Sequence, residues 1–334
     1  MDTHATEFSL SVLDLCPILA GGSAADAFRR SLDLARHAEG LGYNRFWVAE
    51  HHNMPGIASA ATAVVIGHIA EGTSRIRVGS GGIMLLNHAP LVIAEQFATL
   101  EALYPGRIDL GLGRAPGTDQ ATMRVLRGNA DASGENFPEK LDELRSFLES
   151  PSPEQRIRAV PGGVKIPIWL LGSGGFSAQL AGHLGLPFAS AGHFSPDNIL
   201  AGLELYRRSF RPSATIDEPF AMVGINVFAA ETDNEAARLA TSHLLAHLSL
   251  IRGVPIELPP PVDNIEEFVP DGLGNFPFLR SSIIGGPDTV RAKLRSLMED
   301  TRADELMIHS MIFDHAARRR SYEIVMEVAG SGRP

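Results

Sequence analysis

The sequence predicts an α/β fold of repeated βα units, for which two closures are open, a (β/α)8 barrel and a doubly wound sheet. Three observations carry the prediction. Short aliphatic or β-branched runs alternate with helix-period segments along nearly the whole chain. Eight such runs can be counted, the number a barrel needs. The length, 334 residues, suits a barrel enlarged by insertions as well as two ordinary domains.

The elements follow in order. "FSLSVLDL" (8–15) alternates in the strand period. The next stretch, "AADAFRRSLDLARHAEGLGY", sets Phe28, Leu32, Ala35 and Leu41 on one helical stripe, with Gly40 and Gly42 available to end the helix. "RFWVAE" (45–50) is the second strand. A small-residue helix (59–73) leads to the third, "IRVGSGGIMLL" (76–86), and a helix over roughly 88–103 to the fourth, "RIDLGLG" (107–113). A helix near 137–149 precedes "IPIWLLG" (166–172), and "PFASA" (187–191), "FAMVGINVFAA" (220–230) and "ELMIHSMIF" (305–313) complete the set.

Two stretches break the rhythm, 115–140 and 231–286. The second holds a helical pattern (235–252) and the proline-rich "VPIELPPPVDNIEEFVPDGLGNFPFL". Both leave from strand C-termini, where barrels build sites and lids, so they read as insertions in one domain spanning 1–334.

Composition narrows the function classes. Hydrophobic residues at 44% and charged residues at 20% fit a soluble globular enzyme. A net charge of −10 argues against nucleic acid or an anionic membrane as partner, since both select basic patches. With Cys16 as the only cysteine, no internal disulfide or cysteine metal cluster can form. The N-terminal "MDTHATEFSL" lacks the basic and apolar regions of an export signal, and a cytoplasmic location is expected.

Chemistry-bearing residues gather at strand ends. Glu50, His51 and His52 close the second strand; neighbouring strand residues point to opposite faces, so at most one histidine is expected to face a barrel mouth. Gly79, Gly81 and Gly82 close the third, and glycine within a strand marks a bulge or a close ligand approach. Arg114 ends the fourth as a permanent cation suited to a phosphate. "LLGSGGFSAQLA" (170–181) ends the fifth in a turn that opens a helix, and its free N–H groups with the Ser173 and Ser177 hydroxyls make an anion site. This turn is no G-x-G-x-x-G after a first strand, which disfavours a Rossmann dinucleotide site.

Taken together, "RFWVAEHH", "IRVGSGGIMLLNHAPLVIAEQFATLEALYPGRIDLGLGRAPG", "IPIWLLGSGGFSAQLAGHLGLPFA" and "IIGGPDTVRAKLRSLMEDTRADELMI" resemble the bacterial luciferase-like flavin-dependent monooxygenases over most of the chain. The resemblance implies a (β/α)8 TIM barrel with insertions at strand C-termini. It further implies reduced FMN, supplied by a separate NAD(P)H:flavin reductase, that reacts with O2 and oxidises a small organic substrate through a flavin peroxide. His51 is then the catalytic histidine, Ala49 and a cis Gly81-Gly82 peptide flank the isoalloxazine ring, and Arg114, Ser173, Gly174 and Ser177 hold the phosphate. A homodimer through helix 59–73 is also implied. Light-emitting members carry a cysteine where Gly113 stands and an acid where Ser173 stands, so neither light emission nor a long-chain aldehyde substrate carries over.

Rival readings are a deazaflavin F420-dependent hydride-transfer enzyme, a flavin-binding protein without turnover, and a metal-dependent barrel hydrolase using the histidines. Among other residues, His88, His183, His193, His309 and His315 are expected to be solvated or hydrogen-bonded, with His193 the one nearest a pocket. Met307 and Met311 are expected in the core, and "RRRSYE" (318–323) as a solvated face.

Overall fold

A computed structural model of the protein describes residues 8–128, 136–150, 155–269, 279 and 282–330. Its strands are β1 (Ser9–Asp14), β2 (Arg45–Val48), β3 (Arg77–Ser80), β4 (Ile83–Met84), β5 (Ile108–Gly113), β6 (Ile168–Gly172), β7 (Phe188–Ser190), β8 (Ala221–Ala229), β9 (Ser282–Gly285) and β10 (Glu305–His309). All pair in parallel, and β10 pairs both β1 and β8, which closes the sheet. With β3 and β4 counted as one interrupted stave, and β9 set aside because it pairs only β8, this is an eight-stranded (β/α)8 TIM barrel, and the doubly wound alternative falls away.

Alternation along each strand sorts the residues into two cores. Leu10 and Val12 on β1, Phe46 and Val48 on β2, and Val223, Ile225 and Val227 on β8 face outward to the helices in the larger core. Leu13, Trp47, Trp169, Met222 and Met307 face inward and fill the barrel. At the N-terminal end of the interior, Arg45 binds Asp109 (2.7 Å) and Glu305 (3.1 Å), Arg77 binds Asp109 (2.6 Å), and Trp47 donates to Asp109 (3.1 Å). These pairs seal the barrel floor with buried charges that satisfy one another. Trp47 and Trp169 stack edge to face above them at 5.2 Å.

The first helix, Ala24–Leu41, starts where Ser23 accepts a hydrogen bond from Asp26 N (3.2 Å) and ends at Gly42 in the left-handed region (φ 91°). Its buried stripe is Ala27, Ser31, Leu34, Ala35 and Ala38, which keeps Ala35 of the expected set and replaces Phe28 and Leu32 by the residues just before them. Phe28 and Leu32 pack at its margin, because small residues let the helix sit close on the barrel wall.

The solvated face expected at 318–323 is corrected. Arg318 is 2% exposed and reaches Asp14 at 2.6 Å, while Ser31 donates to the same carboxylate. Burial pushes the Asp14 carboxyl up, but Arg318, with the Ser31 hydroxyl and the Cys16 backbone N–H, outweighs it and the net shift is downward. Ser321 and Tyr322 are buried too; only one face of helix His315–Gly330 meets water.

Strand β8 runs nine residues. Its first half pairs β10 (Met222↔Glu305), and its second half pairs β9 instead (Phe228↔Ile284), outside the barrel. The four-residue β9 falls inside the stretch expected as a 231–286 insertion, with helix Asp233–Ile251 packed beside it. The other insertion, 115–140, contains helix Gln120–Arg127, capped by Asp119; residues 129–135, 270–278 and 280–281 of the two insertions lie outside those described.

Candidate active site

At the barrel's C-terminal mouth, β3 is interrupted. Gly79 pairs Asp109 and Ile83 pairs Leu112, so four steps on one stave oppose three on the other: a β-bulge. The Gly81-Gly82 peptide within it is cis. A Cβ on Gly82 would lie 2.7 Å from Gly111 O, and one on Gly111 2.1 Å from Ser80 O. Only glycine permits this approach. Ser80 Oγ donates to Gly111 O (2.8 Å) and accepts from Gly111 N (3.0 Å), replacing the ladder bonds that the bulge removes.

Glu50 holds the bulge from the neighbouring stave. β2 ends at Val48, two residues earlier than the sequence suggested, so 49–53 is a turn. The 1%-exposed carboxylate of Glu50 accepts from Met84 N (3.0 Å), His52 (2.8 Å), His88 (2.9 Å) and Asn87 (3.3 Å). Burial raises its pKa, but the hydrogen bonds from His88, His52 and Met84 N more than reverse this, and the carboxyl sits below its ordinary range. Sequence reasoning did not link His88 to Glu50, 38 residues away.

Ring atoms of His52 and His88 and a Glu50 oxygen lie within 4.8 Å of one another, a spacing a metal can use. The Met84 N–H aimed at the same carboxylate fits an anion held by donors better than a cation site.

His51 turns the other way. Its Nδ1 lies 3.2 Å from Gly117 O, which only accepts, so Nδ1 carries the proton and Nε2 keeps a lone pair. Burial lowers its pKa, against the opposing hydrogen bond to Gly117, and the ring is neutral at physiological pH. Of the two adjacent histidines, one therefore serves the scaffold. Ala49 is buried beside them, its carbonyl accepting from Ser59 (2.6 Å).

The expected phosphate residues meet at the β5 and β6 ends. Helix Gly175–Leu184 starts at Gly174 with no side-chain cap, leaving its first N–H groups open, and a Cβ on Gly174 would meet nothing within 4 Å. Arg114 lies over the Phe176 ring at 4.4 Å and makes no ion pair with the described residues. Ser173 is exposed and Ser177 buried in the first turn. A free guanidinium at an open helix N-terminus fits a phosphate.

Beside Gly81 a small cavity of about 30 Å³ enters the barrel. Leu13, Trp47, Gly81, Leu171, Met222 and Met307 line it, with His193 at its rim as expected. Asn226, His243 and His309 join His193 there, the two ring pairs with His309 being 5.8 Å and 5.2 Å apart. His309 is 3% exposed, which goes beyond the ordinary histidine expected, and His243 and Asn226 were not singled out in the sequence.

The family model described as luciferase-like monooxygenase matches residues 9–305. A luciferase-like monooxygenase of Escherichia coli is 52% identical over 323 residues, 96% of each chain. The N-acetyl-S-alkylcysteine monooxygenase of Bacillus subtilis is 39% identical over 69% of this chain and 70% of its own. The crystal structure of apo-MsnO8 superposes with a TM-score of 0.88 at 37% identity, covering 96% of this chain and 98% of that one.

Proposed function

From the premise that the chain belongs to the luciferase-like monooxygenase family, we propose that it is an FMN-dependent monooxygenase acting on a small organic substrate. Arg114 facing the uncapped start of helix Gly175–Leu184, at the same mouth as His51 and the β3 bulge, is the observation that carries the reading. Arg114, the open N–H groups, Ser173 and Ser177 would hold the phosphate. The Gly81-Gly82 bulge and Ala49 would support the ring. When bound, reduced FMN supplies the electrons that activate O2.

The chain's own residues do the rest. His51 Nε2, a neutral acceptor on a ring fixed through Gly117 O, holds or takes up a proton near the reacting atoms. Glu50 keeps the bulge in place through Met84 N, so that ring support does not depend on a mobile loop. The apolar wall of Leu13, Trp47, Leu171, Met222 and Met307 excludes water. Reduced flavin is assigned to a separate NAD(P)H:flavin reductase. A homodimer through helix Thr62–Gly72, whose Val64 is 74% exposed, completes the proposal.

Anaerobic titration with FMNH2 and, in parallel, with reduced F420 tests the assignment. Tight FMNH2 binding followed by oxygen uptake on aeration supports it; a preference for F420 without oxygen uptake moves the protein to hydride transfer.

A further inference from the structure

Above the apolar layer of the barrel lies a polar layer separate from the residues assigned to the flavin above. Met222 and Gly224 on β8 and Met307 on β10 line the cavity. Two residues further along each strand, hence on the same face, stand Asn226 and His309, paired in register. They are 1% and 3% exposed.

Their hydrogen bonds fix the chemistry of the ring. Asn226 Nδ2 donates to His193 O (3.1 Å), a group that only accepts, so the amide oxygen is the atom facing His309. His309 Nδ1, 2.8 Å from that oxygen, carries the proton. Nε2 therefore holds a lone pair, and it is buried with no hydrogen-bond partner among the described residues. Beside it, His193 Nδ1 also has no partner among them. A Cβ on Gly224 would lie 2.6 Å from that Nδ1, so glycine keeps room for the ring at the cavity rim.

A buried acceptor without a donor is destabilising, and each one in a native fold calls for an explanation. Here the explanation is a ligand. Burial lowers the pKa of His193 to about 4 and that of His309 well below the ordinary range, so neither ring offers a countercharge near neutrality. The adjoining wall is apolar. We propose that His309 Nε2 is a specificity-determining acceptor that receives a hydroxyl or N–H group of an uncharged, otherwise apolar substrate, with His193 beside it at the rim. The proposal rests on the monooxygenase reading for calling that ligand a substrate.

Trp47 lines the cavity and Trp169 packs edge to face on Trp47; the chain has no other tryptophan, so intrinsic fluorescence reports occupancy. The test titrates the full-length protein with benzyl alcohol and with benzyl methyl ether, which lacks the donor. Wild type is expected to prefer the alcohol by about tenfold, and His309→Phe to bind both alike. Equal affinities in wild type, no saturable response to the alcohol, or a preference that survives in His309→Phe overturns the proposal.

Ring-nitrogen NMR of histidine-labelled wild type provides a second measurement, independent of any variant. His309 is expected as the Nδ1–H tautomer, with an Nε2 resonance that moves on adding the alcohol and not the ether; an Nε2–H tautomer overturns the proposal. If FMN alone moves that resonance, the donor belongs to the flavin and the substrate assignment falls. None of these titrations needs turnover, so their failure leaves the FMNH2 result standing, and failure of FMNH2 binding leaves theirs.

Discussion

Replacing Glu50 with Gln changes one atom and removes one charge from the carboxylate that braces the β3 bulge. Four donors converge on it: Met84 N, His52, His88 and Asn87. An amide can satisfy the fixed Met84 N–H only by turning its oxygen there, which sets its NH2 group against the remaining donors. His52 can respond by switching tautomer, but Asn87 is held by Pro116 O (3.0 Å) and Arg127 (2.8 Å) and keeps donating. Hydrogen bonds to a charged group contribute roughly 1.5–3 kcal/mol each, so losing the charge and orphaning one donor should cost about 2–4 kcal/mol at pH 7. The sign of the pH dependence follows from the lowered carboxyl pKa. Glu50 adds stability that is complete above the unfolded value of about 4.3 and is lost as pH falls through the folded one. Gln has no such dependence, so the gap between wild type and Glu50→Gln should narrow in acid. Urea unfolding at neutral and acid pH measures both. A variant within about 0.5 kcal/mol of wild type at pH 7, or a gap independent of pH, refutes the bracing role.

Further outcomes follow from the same geometry. Asp14→Ala leaves the Arg318 guanidinium buried without its counterion and should cost about 3–5 kcal/mol in urea unfolding, a loss that adding Arg318→Met should largely recover; no recovery would place the damage elsewhere. Arg114→Ala should weaken FMNH2 binding by about 1.5–3 kcal/mol with an unchanged circular dichroism spectrum, and unchanged affinity removes it from the phosphate site. His51→Ala should leave flavin affinity intact and slow product formation by about 100-fold or more; wild-type turnover would end its proposed role. Gly111→Ala drives a methyl group to 2.1 Å from Ser80 O and should abolish soluble expression or flavin binding, so a fully active variant would contradict the tight seam between β3 and β5.

The barrel was legible because strand and helix periods differ and its strand runs, even the short ones, recur in alternation with helical patterns. β9 was not, since a run of four residues, "SIIG", carries no period of its own. Arg318 was misread because a run of charges signals solvent, and its burial depends on Asp14, 304 residues earlier in the chain. At the mouth, glycines and the lone arginine were readable because backbone freedom and a permanent charge are local properties. Glu50 with His88, and His309 with Asn226 and His193, were not: each set comes together through barrel closure, which brings distant strand ends into one layer.

The way β8 divides its pairing has a practical consequence for redesign. Asn226 pairs Ser282 and Ala229 pairs Gly285, so β9 lies parallel to β8 one strand spacing away, roughly 4.8 Å, and the chain returns about three residues back along β8 from where it left. β10 pairs β8 only up to Asn226, so β9 adds to a part of β8 that the barrel does not use; the described residues between them return to the barrel at Leu258, bridged to Leu19, and at His243, 5.2 Å from His309. Closing a longer or shorter segment across a fixed gap adds only about 0.6 kcal/mol per doubling of length. Exchanging residues 230–281 between relatives should therefore change which molecules reach the mouth while the eight staves keep their pairing, provided the Leu258 and His243 contacts are retained.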